Sequence, residues 1–167
     1  MTLDEVNTLP PEAFVETFAG IYEHSPWVAE AVVSDRPFDS LKALRQHMQA
    51  SVETASYSQK LSLLRAHPEL AGKAAIDGTL TQASKQEQAS AGLDRMLAEE
   101  FQALTEMNAA YHDRFGFPFI ICVRQTTKAG ILAALENRLN NTVDHEFETA
   151  LGEVYKIAQL RLEGVIS

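Results

Sequence analysis

The sequence predicts an all-α protein: a single compact multi-helix domain of about eight or nine helices over residues 1–167, with no sheet. Three observations carry this. Apolar residues recur at helical spacing along most of the chain, from Phe14, Phe18, Ile21 and Tyr22 to Phe147, Leu151, Val154, Ala158, Leu162 and Val165. Caps and breakers separate these ladders, with Ser, Thr or Asp before them and Gly or Pro after them. The one stretch of strand composition, Phe119-Ile120-Ile121-Cys122-Val123, has no second strand to pair with, and a lone strand leaves its backbone unpaired.

Taken in order, Pro10-Pro11 opens the first helix. Ser25-Pro26 reads as N-cap and first helical residue of a second, running through Trp27, Val28 and Val32. Asp39 or Ser40 caps a third, with Leu41, Leu44, Met48 and Val52 inward. Ser58 begins a fourth that stops at His67, because the residue before a proline is pushed out of the α region. Pro68 then starts a short helix to about Ala75, closed by Asp77-Gly78. Ser84-Lys85-Gln86-Glu87 fits a capping box, and Gly92 separates that helix from a long one with the ladder Leu93, Leu97, Phe101, Leu104, Asn108, Tyr111, Phe115. Gly116 and Pro118 end the long helix. Phe119 to Val123 is expected as an extended or tightly turned buried segment whose amides are available to other groups. Thr126 or Thr127 caps the next helix (Ile131, Leu132, Leu135, Leu139), and Thr142 caps the last.

Composition excludes several classes of function. Fourteen Lys+Arg against 23 Asp+Glu leave a formal charge of −9, which opposes binding to nucleic acid or to an anionic membrane. An anionic substrate would need a local positive site. One cysteine, Cys122, rules out an internal disulfide and a cysteine-based zinc site. With no signal-peptide pattern and no apolar run long enough to span a bilayer, a reducing, soluble compartment is expected.

The polar residues that stand out are few. His67 sits at a bend between helices, where its imidazole is either aimed at chemistry or caps the incoming helix. Arg161 lies in the middle of the last helix's apolar stripe, and a buried guanidinium needs an anionic partner. That partner is a ligand or a structural carboxylate such as Glu87, unless the side chain snorkels to the edge. Glu87 is by spacing a capping-box residue, with a site role as the alternative. Asn108 on an apolar ladder is a structural hydrogen-bonding device. His24, His47, His67, His112 and His145 show no HExxH or ExxH spacing, so no metal is expected, and no phosphate or dinucleotide loop is present.

Several motifs stand in a fixed order: Tyr22-Glu23-His24-Ser25-Pro26-Trp27, His67-Pro68-Glu69-Leu70, Ser84-x-x-Glu87-Gln88 with Ala91-Gly92-Leu93, Asn108-x-x-Tyr111, Phe115-Gly116-Phe117-Pro118-Phe119-Ile120, and Ile157-Ala158-x-Leu160-Arg161-Leu162. Together, from about Phe14 to the C-terminus, they resemble the 2-oxo-4-hydroxy-4-carboxy-5-ureidoimidazoline (OHCU) decarboxylases of urate degradation. The resemblance implies an all-helical, cofactor-free, homodimeric enzyme that converts OHCU to (S)-allantoin and CO₂. It implies His67 as the essential acid/base, with Glu87 and Arg161 in the site. Substrate contacts are implied for Pro68, Ser84, Gln88 and the segment Phe119, Ile120, Ile121, Cys122 and Val123. Two rival classes remain open at this point: a helical binding module in which His67 and Arg161 are structural, and a cofactor-free hydrolase or isomerase acting on a related heterocycle.

Overall fold

A capping box absent from the expected element list sets the start of the chain. The Thr2 hydroxyl accepts from the Glu5 amide at 3.3 Å, and the Glu5 carboxylate accepts from the Thr2 amide at 2.7 Å. This opens helix α1 (Leu3–Thr8) ahead of the predicted first helix. The computed structural model describes all of Met1–Ser167 and holds ten α-helices, two single 3-10 turns and no strand. The all-α expectation is met, and α1 accounts for the helix beyond nine. No helix is long and apolar enough to cross a membrane.

The backbone resolves into two compact units, Met1–Ala66 with Tyr155–Ser167, and His67–Val154. The first contains α1, α2 (Pro11–Phe18), α3 (Trp27–Val32), α4 (Leu41–Glu53) and α5 (Tyr57–Arg65). Helix α3 packs on both α2 and α4. The core they share holds Phe14, Phe18, Val28, Val32, Leu44, Met48 and Val52, all essentially inaccessible to solvent. The spacing of these residues is the helical period read from the sequence.

The second unit contains α6 (Lys73–Asp77), α7 (Gln82–Ser90), α8 (Ala98–Phe115), α9 (Lys128–Arg138) and the start of α10 (Val143–Val165). Its centre is aromatic. Tyr111 lies 4.5 Å from Phe115, 5.9 Å from Phe117 and 5.4 Å from Phe119 between ring centroids, and Phe117 meets Phe147 edge-on at 6.2 Å. Gly116 ends α8 at φ 77°, the left-handed conformation its lack of a Cβ permits. Phe119 to Cys122 has no regular secondary structure and is buried except at Ile121, as expected.

Caps at Ser40, Thr127 and Thr142 stand where expected. Others shift. The Ser25 hydroxyl donates to the Glu23 carbonyl instead of capping, so α3 begins after Pro26. Helix α5 starts at a Ser56/Gln59 capping box, before Ser58. Pro68 opens no helix; residues 67–72 form a turn and α6 waits for Lys73. Thr81, not Ser84, caps α7, because its hydroxyl already accepts from the Ser84 amide at 3.2 Å. Ser84 is thereby an interior helical residue, and Glu87 is released from the capping-box role. The ladder of α8 was drawn too early: Leu93 and Leu97 precede the helix, and Leu97 is exposed.

Two buried tyrosines give the fold an alkaline limit. Burial raises the phenol pKa of Tyr22, with Tyr155 and Glu53 adding negative potential. Burial also raises that of Tyr111, reinforced by its hydrogen bond to Glu146. Folded values above the unfolded value mean that stability is complete below about pH 10 and is lost as pH rises beyond it, since the unfolded chain ionises first. The slope is about 1.4 kcal/mol per pH unit for each tyrosine. Melting temperature should be flat with pH up to about 10 and then fall, and Tyr111→Phe should make that fall shallower. Equal slopes in the two proteins would mean that Tyr111 is not protected.

Candidate active site

His67 follows the last turn of α5, where the Ala66 amide still donates to the Ser62 carbonyl at 3.0 Å. The imidazole is only 8% exposed. What holds it is a loop pinned from two helices. Asn108 of α8 donates its Nδ2 to the Leu70 carbonyl at 3.0 Å, and the Ala71 amide donates to Gln88 Oε1 of α7, also at 3.0 Å. Ala71 adopts φ 50°, a left-handed conformation that costs a residue with a Cβ and persists because both neighbours are fixed. Gly72 closes the turn, and a Cβ there would come within 2.7 Å of the Glu69 Cβ. His67-Pro68 is therefore carried on a rigid turn rather than on a helix end.

Helix α7 presents Ser84, Glu87 and Gln88 at positions i, i+3 and i+4, on one face. Ser84 and Gln88 are buried, and Glu87 is half-buried. The helix packs against the 3-10 turn Val123–Gln125, which sets it beside the end of the Phe119 to Val123 segment. His67, Pro68, Ser84, Glu87, Gln88 and that segment all belong to the second unit, where α7 links the His67 loop, through Gln88, to the Val123–Gln125 turn. The Gln88 side-chain oxygen is committed to the His67 loop, so this residue fixes the course of that loop.

The segment is held in place by side chains. Arg138 Nη1 donates to the Ile120 carbonyl at 2.7 Å, and the Cys122 amide approaches Glu153 Oε1 at 3.5 Å. The expectation of amides available to other groups is thus corrected for Cys122. Arg138 is itself paired with Glu146, whose carboxylate is wholly buried and also accepts from the Tyr111 hydroxyl at 2.6 Å and from Asn141 Nδ2 at 2.9 Å. The Arg138 guanidinium lies 4.5 Å from the Phe119 ring centroid.

Arg161 belongs to the first unit, and its side chain is 7% exposed, as its place on the apolar stripe requires. Its Nη1 donates to Glu23 Oε2 at 2.7 Å and to the Gly20 carbonyl at 3.0 Å. Glu23 is 1% exposed. It is a carboxylate partner that the sequence analysis did not single out, although it stands inside the Tyr22 to Trp27 motif. Arg138 and Glu146 were also missed. The available signal was their eight-residue separation across Asn140-Asn141, where two helices joined by a short turn bring facing positions together. No three His, Cys, Asp or Glu side chains converge as metal ligands would.

Known proteins resemble this chain along nearly its whole length. The family model described as OHCU decarboxylase matches residues 7–163. The 2-oxo-4-hydroxy-4-carboxy-5-ureidoimidazoline decarboxylase of Haloferax volcanii is 46% identical over 162 residues, covering 97% of this chain and 94% of the relative. A crystal structure of (S)-allantoin synthase superposes with a TM-score of 0.81 at 35% identity over 99% of this chain, which spans only 54% of that longer chain. A crystal structure of OHCU decarboxylase in the presence of (S)-allantoin superposes with a TM-score of 0.71 at 27% identity, over 89% of this chain and 96% of that one. With a matched model running nearly end to end and a relative this similar over 94% of its length, the chain belongs to the OHCU decarboxylase family.

Proposed function

We propose that this chain decarboxylates OHCU to (S)-allantoin, with His67 as the acid/base and Glu87 and Arg161 as its partners in the reaction. It needs no cofactor and acts as one catalytic domain over residues 1–167, as a cytoplasmic homodimer. Pro68, Ser84, Gln88 and Phe119 to Val123 are its substrate contacts. The observation that carries this reading is the buried His67 on a turn pinned by Asn108 and Gln88, in a chain of this family. A histidine kept merely as a helix cap would not call for such anchoring.

The substrate's own bonds explain why no electron-accepting cofactor is needed. When the C4–carboxylate bond breaks, its electron pair forms C4=C5 and the C5=N π pair moves onto nitrogen, which takes a proton. The enol at C4 then gives up its hydroxyl proton, the carbonyl forms, and C5 gains a proton on one face. The ring imine is the electron sink, so the protein's task is proton management. One positioned imidazole contributes about 10²–10⁴-fold to such transfers. Glu87 accepts N–H bonds from ring or ureido group, and Arg161 supplies the positive field that a chain of net charge −9 otherwise lacks.

The test is to give purified protein freshly generated OHCU while following CO₂ release and the optical rotation of the allantoin formed. Rapid release with an excess of the S enantiomer is expected. Slow, racemic product would identify a binding module, and ring opening without CO₂ would identify a hydrolase.

A further inference from the structure

We propose that Arg138 is a positioning residue for this reaction: anchored by Glu146, it fixes the Ile120 carbonyl and thereby the course of the Phe119 to Val123 segment against substrate. The inference rests on the reading of that segment as a substrate contact.

A buried stretch without strand or helix partners must have its backbone satisfied by side chains, by other backbone groups or by water. Here a charged side chain does it. Arg138 Nη1 reaches the Ile120 carbonyl at 2.7 Å, and its guanidinium covers the Phe119 ring, so one side chain sets both residues. The way the guanidinium divides its donors is informative. An arginine that pairs with a carboxylate frequently uses two parallel N–H bonds. Arg138 gives Glu146 only its Nε, turns Nη1 to the segment, and leaves Nη2 buried with no hydrogen-bond partner. An N–H bond is forgone to keep the segment in hand. Glu146 is equipped to hold that aim, because Tyr111 and Asn141 fix its two oxygens.

Arg138→Lys keeps the charge but cannot bond Glu146 and the Ile120 carbonyl together. Two readings on the folded variant separate the possibilities: amide hydrogen exchange of residues 119–123 without substrate, and steady-state kinetics with OHCU. Exchange at Ile121 and Cys122 should quicken by about tenfold or more. KM should rise about fivefold or more with kcat within about threefold, since the segment binds ground and transition states alike. Unchanged exchange overturns the role of Arg138, whatever the kinetics. Faster exchange with unchanged KM shows that the segment does not hold substrate, which sinks the reading beneath and the positioning role with it. A fall in kcat alone overturns positioning in favour of a part in the chemistry. If Arg138→Lys does not fold, Glu146→Gln decides by the same two readings, because it keeps shape and acceptor while removing the charge that aims the guanidinium.

Discussion

His67→Ala folds and loses nearly all stereoselective decarboxylation. The turn that carries the imidazole is held at Leu70 and Ala71 by Asn108 and Gln88, not by His67 itself, so its backbone keeps its course. What goes is the imidazole proposed to move the protons, the side-chain type that changes charge near neutral pH. A fall in kcat of about 10²–10⁴-fold is expected, and the residual product should be close to racemic because C5 is then protonated by solvent on either face. Initial rates with polarimetric detection, beside a melting curve, give the answer. Activity within a few-fold of the parent protein would remove His67 from the chemistry.

Arg161→Lys should also be damaging, to a smaller extent, although it preserves charge. The guanidinium is buried and spends one nitrogen on both Glu23 and the Gly20 carbonyl, a geometry that a freely rotating ammonium does not reproduce. Losing one charge-assisted hydrogen bond costs about 1.5–3 kcal/mol, or about 10–150-fold in kcat/KM if the bond is made to substrate. Glu23→Gln is the companion variant. It weakens the structural pair while leaving the guanidinium in place, so it should lower the melting temperature with a much smaller kinetic loss. If both variants melt early and both keep their kinetics, Arg161 is a structural ion-pair partner, and the positive field must come from elsewhere.

Much of this was legible in the sequence, and the boundary of legibility is physical. Helices α2, α4, α9 and α10 declare themselves because their apolar faces repeat at 3.6 residues over two turns or more. Helix α1 is six residues long and buries one side chain, Val6, so it leaves no periodic trace. The caps went wrong where two hydroxyl residues stand within a turn of each other, as at Ser56 and Ser58 or Thr81 and Ser84. Either pattern satisfies the local rule, and packing selects the earlier one. His67 and Arg161 were visible because proline constrains one and an apolar stripe surrounds the other. Glu23, Arg138 and Glu146 were not: the partner of Glu23 stands 138 positions away, and the eight-residue spacing of Arg138 and Glu146 acquires meaning only once the turn between their helices is placed.

The division of the chain also bears on how the protein is made. The second unit is one unbroken run, whereas the first needs residues from both ends. During synthesis the first unit cannot close until Tyr155–Ser167 have been made, and with them the partners of Glu23 and Arg45. Contacts of such long sequence separation must meet the entropy of closing the intervening loop before they return any stabilisation, so they form late. The first unit, begun first, is therefore completed last. Until Arg161 arrives, the newly made Glu23 has no guanidinium to be buried against, and the N-terminal helices remain the segment of the nascent chain most exposed to misassociation.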